Sequence, residues 1–139
     1  MIMEMYEYFD VTADVGIIAR GISIDELFVN SARAVFNVMA NLDKIKPVKE
    51  VSFEISSNSI EELILDYLTY LLALKDIHGM LFSEFEVGID DNNFKLRGIA
   101  RGDEIKEEHE IKTEVKAITY HLMEIKKNKL WEVKFVVDV

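Results

Sequence analysis

Two near-identical phrases, Ser23-Ile24-Asp25-Glu26-Leu27 and Ser59-Ile60-Glu61-Glu62-Leu63, constrain the fold of this chain more than any other feature. Each reads as a capping box, in which the serine hydroxyl accepts from the backbone N–H three residues on and the glutamate there reaches back. An apolar stripe of helical period follows each phrase. It is Leu27, Phe28, Ala32, Val35, Phe36 and Met39 in the first case, and Leu63, Ile64, Tyr67, Leu68, Leu71 and Leu72 in the second. Two amphipathic helices are therefore expected, each burying one face. Asn41-Leu42-Asp43 and then Pro47 stop the first, and His78-Gly79 stops the second, where glycine suits the left-handed position past a helix C-terminus.

Outside these helices the period falls to two. Tyr6 to Phe9 and Val15 to Arg20 read as short strands on either side of a Thr12-Ala13-Asp14 turn, and Val48 to Ser56 alternates weakly. Leu81 to Ile89 and Phe94 to Ile99 flank Asp90-Asp91-Asn92-Asn93 as one hairpin, and Ile118 to Lys126 and Leu130 to Val137 flank Lys127-Asn128-Lys129 as another. The expected class is α+β, a two-layer sandwich with two helices packed on a largely antiparallel sheet. The repeated helix-start phrase points to an internal duplication of a strand-helix-strand-strand element, although Ser-x-x-Glu is common at helix starts. Nothing like a linker or a composition shift divides the chain, so residues 1–139 are read as one domain.

Charge and cysteine content bound the functions open to such a domain. Sixteen basic against twenty-six acidic residues give a net charge of −10, which repels phosphate backbones and argues against autonomous nucleic-acid binding; a basic protein partner suits it better. The absence of cysteine removes disulfides, thiolate metal sites and cysteine nucleophiles, leaving oxygen and imidazole as metal donors. The Met1-Ile2-Met3-Glu4-Met5 start lacks a basic n-region and a signal-length apolar core, and no apolar run approaches the about 20 residues of a membrane-spanning helix. The expectation is a soluble, cytoplasmic protein without membrane association.

Two polar clusters interrupt otherwise apolar strands. One is Asp10-Val11-Thr12-Ala13-Asp14-Val15-Gly16, and the other is Glu114 to Leu122 together with the closing Asp138-Val139. If the strands at the two chain ends are neighbours, Asp14, Asp138 and the Val139 carboxylate converge, and oxygen donors of this kind suit calcium, magnesium or manganese. Asp14 reads equally as a turn aspartate bonded to its own backbone, and Asp138 as a solvated end. Lys116, with Val115, Ala117 and Ile118 around it, reads either as a clamp for an acid or a partner group, or as a surface lysine. His78 suits a helix C-terminus, His121 either a packed strand position or a ligand, and His109 lies in a charged stretch. No His pair has zinc-ligand spacing, no glycine loop cradles phosphate, and no nucleophile elbow occurs, so self-contained catalysis has no support.

These residues, taken in order, resemble the archease family. The blocks that carry the resemblance are Tyr8 to Gly16, Glu26-Leu27-Phe28, Leu81-Phe82-Ser83-Glu84-Phe85, Glu114 to His121 and Val137-Asp138-Val139. The resemblance implies a non-enzymatic accessory factor of the GTP-dependent RtcB-type tRNA-splicing RNA ligase, one that promotes ligase guanylylation and multiple turnover. It implies a divalent metal, calcium first with magnesium or manganese as alternatives, held by Asp14, Asp138 and Val139. Lys116 and His109 match polar positions of the family pattern as partner-contact or site-support residues. Val11 departs from that pattern, because family members usually carry histidine immediately before Thr-Ala-Asp. The other reading is a chaperone-like protein that keeps RNA-modifying enzymes soluble, which predicts an exposed apolar patch around Met80, Leu81 and Phe82.

Overall fold

The computed structural model describes residues 5–139, apart from the side chains of His121 and Leu122. Met1 to Glu4 and the His121 imidazole, both considered in the sequence, lie outside the described residues. In chain order the elements are β1 (Tyr6–Val11), β2 (Asp14–Gly21), α1 (Ile24–Met39), β3 (Lys49–Ser56), α2 (Ile60–His78), β4 (Met80–Asp90), β5 (Lys95–Glu104), β6 (Ala117–Lys127) and β7 (Trp131–Asp138). Both helices begin where the repeated phrases place them. Ser23 Oγ accepts from the Glu26 N–H at 3.2 Å, and Ser59 Oγ from the Glu62 N–H at 3.1 Å. Gly79 closes α2 in the left-handed region at φ 61°, its N–H donating to the Lys75 carbonyl.

The strands divide between two antiparallel sheets, ordered β1-β2-β7-β6 and β3-β5-β4. This order makes the duplication concrete. β2-α1-β6-β7 and β3-α2-β4-β5 are both strand-helix-strand-strand units, and in both the third strand lies between the first and the second. The second unit is inserted between α1 and β6 of the first, so the copies are nested and not in tandem. β1 then adds to the outside of β2.

Both helices bridge the sheets. α1 touches β1, β2 and β7 of the first sheet and β4 of the second; α2 touches β6 of the first and β3, β4 and β5 of the second. One apolar cluster results, with Ile17, Phe28, Phe36, Tyr67, Phe82 and Phe135 fully buried in it. Every residue of the two predicted helical stripes is buried. The apolar patch proposed at Met80, Leu81 and Phe82 is not on the surface: these residues are 3%, 3% and 0% exposed, because β4 packs under α1. The exposed apolar side chains instead include Tyr70 and Ile77 on α2 and Ile105 and Ile111 in the segment before β6.

β1 is an edge strand; Tyr6 packs partly against the core, and Tyr8 ties the strand to α1 by hydrogen bonds. Tyr8 donates to the Ala34 carbonyl at 2.7 Å and accepts from Asn37 Nδ2 at 3.2 Å, both on α1. Burial pushes the phenol up to about 12, more than the Asn37 hydrogen bond lowers it, and Tyr6 adds a small rise. The folded state therefore favours the neutral phenol. That contribution is complete below the unfolded value of about 10 and is lost as pH rises towards about 12. We expect Tyr8→Phe to lower stability at pH 8 by about 1 kcal/mol, the usual net worth of one hydrogen bond. Urea midpoints of the two proteins should converge by pH 12; a gap that stayed constant from pH 8 to 12 would contradict this assignment.

Candidate functional site

Strand alternation decides what stands at the far end of the first sheet. Ile17 and Ala19 of β2 and Val133, Phe135 and Val137 of β7 point into the core, so Asp14, Gly16, Ile18 and Lys134, Val136, Asp138 point to the outer face. Among the described residues no helix covers that face. The aromatic ring of Phe9 lies flat on Gly16, where a Cβ would overlap it, and Lys134 Nζ stands 5.2 Å from the same ring. Close approach of this ring is the reason for glycine at the position.

The register then assembles a row. Val11 pairs with Asp14 across a two-residue turn in which Ala13 takes the left-handed conformation at φ 63°. Val15 pairs with Val137, so one step further on Asp14 stands opposite Asp138. Asp138 pairs on its other side with Ala117, and the Lys116 N–H donates to the Asp138 carbonyl at 2.8 Å. Side chains directly opposite on antiparallel strands lie about 5 Å apart at Cβ and on the same face. Val11, Asp14, Asp138 and Ala117 thus form one outward-facing line across four strands, with two carboxylates between two small or apolar neighbours.

The expectation that the strands at the chain ends meet takes a specific form: the last strand pairs with the second, not with the first. Asp14 is half-buried at the start of β2 and Asp138 is exposed at the end of β7, and Val139 packs partly against the core. Neither carboxylate forms a hydrogen bond or ion pair with a described residue, so Asp14 is not spent on its own turn. Lys116 sits one residue before β6 with its side chain exposed and likewise unpaired among the described residues. Of its neighbours Val115 and Ile118 are buried, whereas Ala117 is exposed.

His109 is placed quite differently. Its imidazole is 1% exposed, and Nδ1 accepts from the Lys106 N–H at 3.1 Å within a short 3-10 turn, Glu107–His109. No hydrogen bond joins it to Asp14 or Asp138; its link to the row runs through the backbone between them. Sequence reasoning gave little weight to His109 because Glu107, Glu108 and Glu110 around it are exposed charges.

The chemistry of the donor set fits a hard cation. Among the described residues no three His, Asp or Glu side chains gather into a metal-holding group, so Asp14 and Asp138 would need a further oxygen donor to complete a cation's shell. Carboxylate oxygens on a solvent-open strand end suit calcium better than a metal requiring imidazole or thiolate. Surface hollows of about 470 Å³, lined by residues including Ser52, Gly88 and Arg97, and about 560 Å³, lined by residues including Arg20, Leu130 and Glu132, include none of these residues. Asp138 is exposed and Asp14 half-buried, so the row is reached from solvent.

Fold and row together define a class: a small α+β protein of nested strand-helix-strand-strand units carrying a carboxylate pair at one sheet end. The chain belongs to the archease protein family, whose pattern it matches over residues 6–139. It is 45% identical over 125 residues to the archease of Methanothermobacter thermautotrophicus, covering 88% of this chain and 89% of that one. It is 43% identical over 139 residues to that of Sulfolobus acidocaldarius, covering 99% and 100%. A solution structure of a Methanobacterium thermoautotrophicum protein superposes with a TM-score of 0.87 at 41% identity, covering 99% of this chain and 100% of that one. The crystal structure of a Thermotoga maritima archease, described as a possible chaperone, shares the fold with a TM-score of 0.63 at 20% identity, with 99% and 100% covered.

Proposed function

We propose that this protein is a non-catalytic activator of a GTP-dependent RtcB-type tRNA-splicing RNA ligase, promoting its guanylylation and repeated turnover through a divalent cation held at the Asp14–Asp138 row. The observation that supports the reading is the register that sets two unengaged carboxylates side by side on the outer face of the first sheet. Asp14, Asp138 and the Val139 carboxylate would hold the ion, calcium by the hardness of the donors, with magnesium or manganese as substitutes. Held there, a divalent ion would supply positive charge that offsets the clustered carboxylates and a Lewis-acidic point for a partner's oxygen groups.

The protein's own residues do the rest. Val11 and Ala117 flank the carboxylates without competing for them, and the Lys116 N–H fixes the Asp138 backbone. The exposed Lys116 ammonium stands next to the row, where it can meet a partner's carboxylate or phosphate. The net charge of −10 speeds encounter with a basic, RNA-binding enzyme and keeps this protein off RNA itself, and the acceleration should fade as salt rises.

The test is single-turnover guanylylation of the cognate ligase in defined calcium, with wild type, with Asp14→Ala and without either. Wild type should accelerate the step at least tenfold, and Asp14→Ala should remove most of that gain. A cognate ligase that is not accelerated by wild type would overturn the activator role. A second reading has its own support: the exposed Tyr70, Ile77, Ile105 and Ile111 suit a chaperone-like grip on apolar surfaces. Under that reading, protection of an RNA-modifying enzyme from aggregation would be indifferent to calcium and to Asp14→Ala.

A further inference from the structure

The segment between β5 and β6 is long and contains little regular structure, yet a continuous set of hydrogen bonds fixes it. Its first anchor is the buried His109, which accepts from the Lys106 N–H through Nδ1 and donates its own N–H to the Lys106 carbonyl, both at 3.1 Å. The His109 carbonyl accepts from the Asn41 N–H at 3.1 Å, and Asn41 Nδ2 donates to Glu110 Oε2 at 2.9 Å. The chain then runs along the end of α1. The Lys112 N–H donates to the Met39 carbonyl at 2.8 Å, the Thr113 N–H to the Val38 carbonyl at 3.3 Å, and Lys112 Nζ to the Asn37 carbonyl at 3.1 Å.

These three bonds satisfy carbonyls that a helix C-terminus leaves without intrahelical partners. α1 has neither a glycine nor a basic residue in its last turn, and its cap residue Ala40 is extended, so the helix depends on this segment for its C-terminal capping. Val115, 3% exposed, pins the next residue pair into the core, and the segment ends with the Lys116 N–H on the Asp138 carbonyl. Residues 106–116 therefore form a strap with a buried imidazole at one end and a proposed cation ligand at the other.

We infer that His109 is a positioning residue for the cation row: by accepting the Lys106 N–H in a buried turn it sets the register of the strap, which in turn holds Asp138 in line with Asp14. This rests on the proposed cation site, and no direct contact between His109 and an ion is involved. A group hydrogen-bonded directly to a metal ligand is worth about 10- to 100-fold in affinity, and His109 acts one step further back, through the strap. The effect should lie at the lower end here, because several bonds share the strap. It also gives a role to an imidazole whose burial the surface charges around it conceal.

The experiment compares wild type, His109→Ala and His109→Asn, with Asp14→Asn as the site knock-out, using calcium alone as the probe. Asparagine can place its Oδ1 near the Nδ1 position and keep the acceptor. Titration calorimetry should show His109→Ala binding calcium about tenfold more weakly than wild type, with His109→Asn close to wild type. Amide exchange followed by NMR is the second readout. In His109→Ala the Thr113 and Lys116 amides should exchange at least tenfold faster while those of Ile17 and Phe135 in the core strands keep their protection, and His109→Asn should restore them.

Equal exchange of the Lys116 amide in wild type and His109→Ala would overturn the inference, as would failure of His109→Asn to restore it. If wild type binds no calcium, the cation site itself is lost, while the exchange data still decide whether His109 sets the strap. If His109→Ala does not fold, His109→Asn against wild type carries the comparison: retained Lys116 protection supports the acceptor role, and lost protection refutes it.

Discussion

Replacing Phe36 with alanine should cost about 3–5 kcal/mol, the range for deleting a fully buried aromatic ring. Phe36 is 0% exposed in the last turns of α1, and its ring packs against Phe82 at 5.6 Å edge-on and Phe85 at 5.5 Å tilted, both on β4. α1 follows β2 of the first sheet, whereas β4 belongs to the second. The ring thus packs the helix of the first unit against the sheet of the second. Domains of this size have about 5–15 kcal/mol of stability in total, so the variant would keep only a fraction of it. Urea unfolding should show a large fall in midpoint; a loss below about 1.5 kcal/mol would mean that the core repacks around the site and that the two units are joined elsewhere. The same substitution loosens the end of α1, so the Lys112 and Thr113 amides should lose protection first.

Calcium should raise the thermal midpoint of the wild-type protein and leave that of Asp14→Asn unchanged, and the order of the two stabilities should reverse on addition of the ion. Without the ion, Asp14 and Asp138 stand opposite each other on adjacent strands, an arrangement in which like charges repel. Asp14→Asn removes the repulsion, so in chelator the variant should be as stable as wild type or slightly more. With calcium at about 100 times its dissociation constant, wild type gains about 2.7 kcal/mol. For a chain of 139 residues that corresponds to roughly ten degrees. The variant lacks half of the carboxylate pair and gains little. A calcium response of equal size in both proteins would remove Asp14 from the site, and no response in either would remove the site. Because the measurement needs no ligase, it separates cation binding from the activator role.

How far the site was legible follows from the range of the interactions involved. Asp14 and Asp138 stand out in sequence because acids are unusual at the edges of apolar strands, and the resemblance to the archease family names the same positions. That they lie one step beyond the Val15–Val137 pair is a matter of register between segments more than a hundred residues apart. Lys116 reads as a strand residue in the sequence but lies just before β6, since the irregular strap reaches to Val115 before pairing begins. His109 was masked by the exposed glutamates on either side, and its burial depends on Asn41 and the end of α1, which no local pattern in the 106–116 stretch reveals. The patch expected at Met80, Leu81 and Phe82 failed for a related reason: a run of apolar residues after a helix reads alike whether another helix covers it or not.

The sequence by itself determined what short-range physics controls. Capping serines, helical and two-residue periods and turn residues placed both helices and the seven strands of the described residues, because each depends on dihedral preferences and hydrogen bonds within about four residues along the chain, although β5 runs on to Glu104, five residues past the expected Ile99. Only the tertiary structure decided that the strands form two sheets, that one unit sits inside the other, that β7 joins β2, and that a strap from β5 reaches α1 and Asp138. Those choices depend on which apolar faces can be buried together and which distant strand edges can close their hydrogen bonds. Such long-range pairings are selected by the packing of the whole core and leave no period in the sequence.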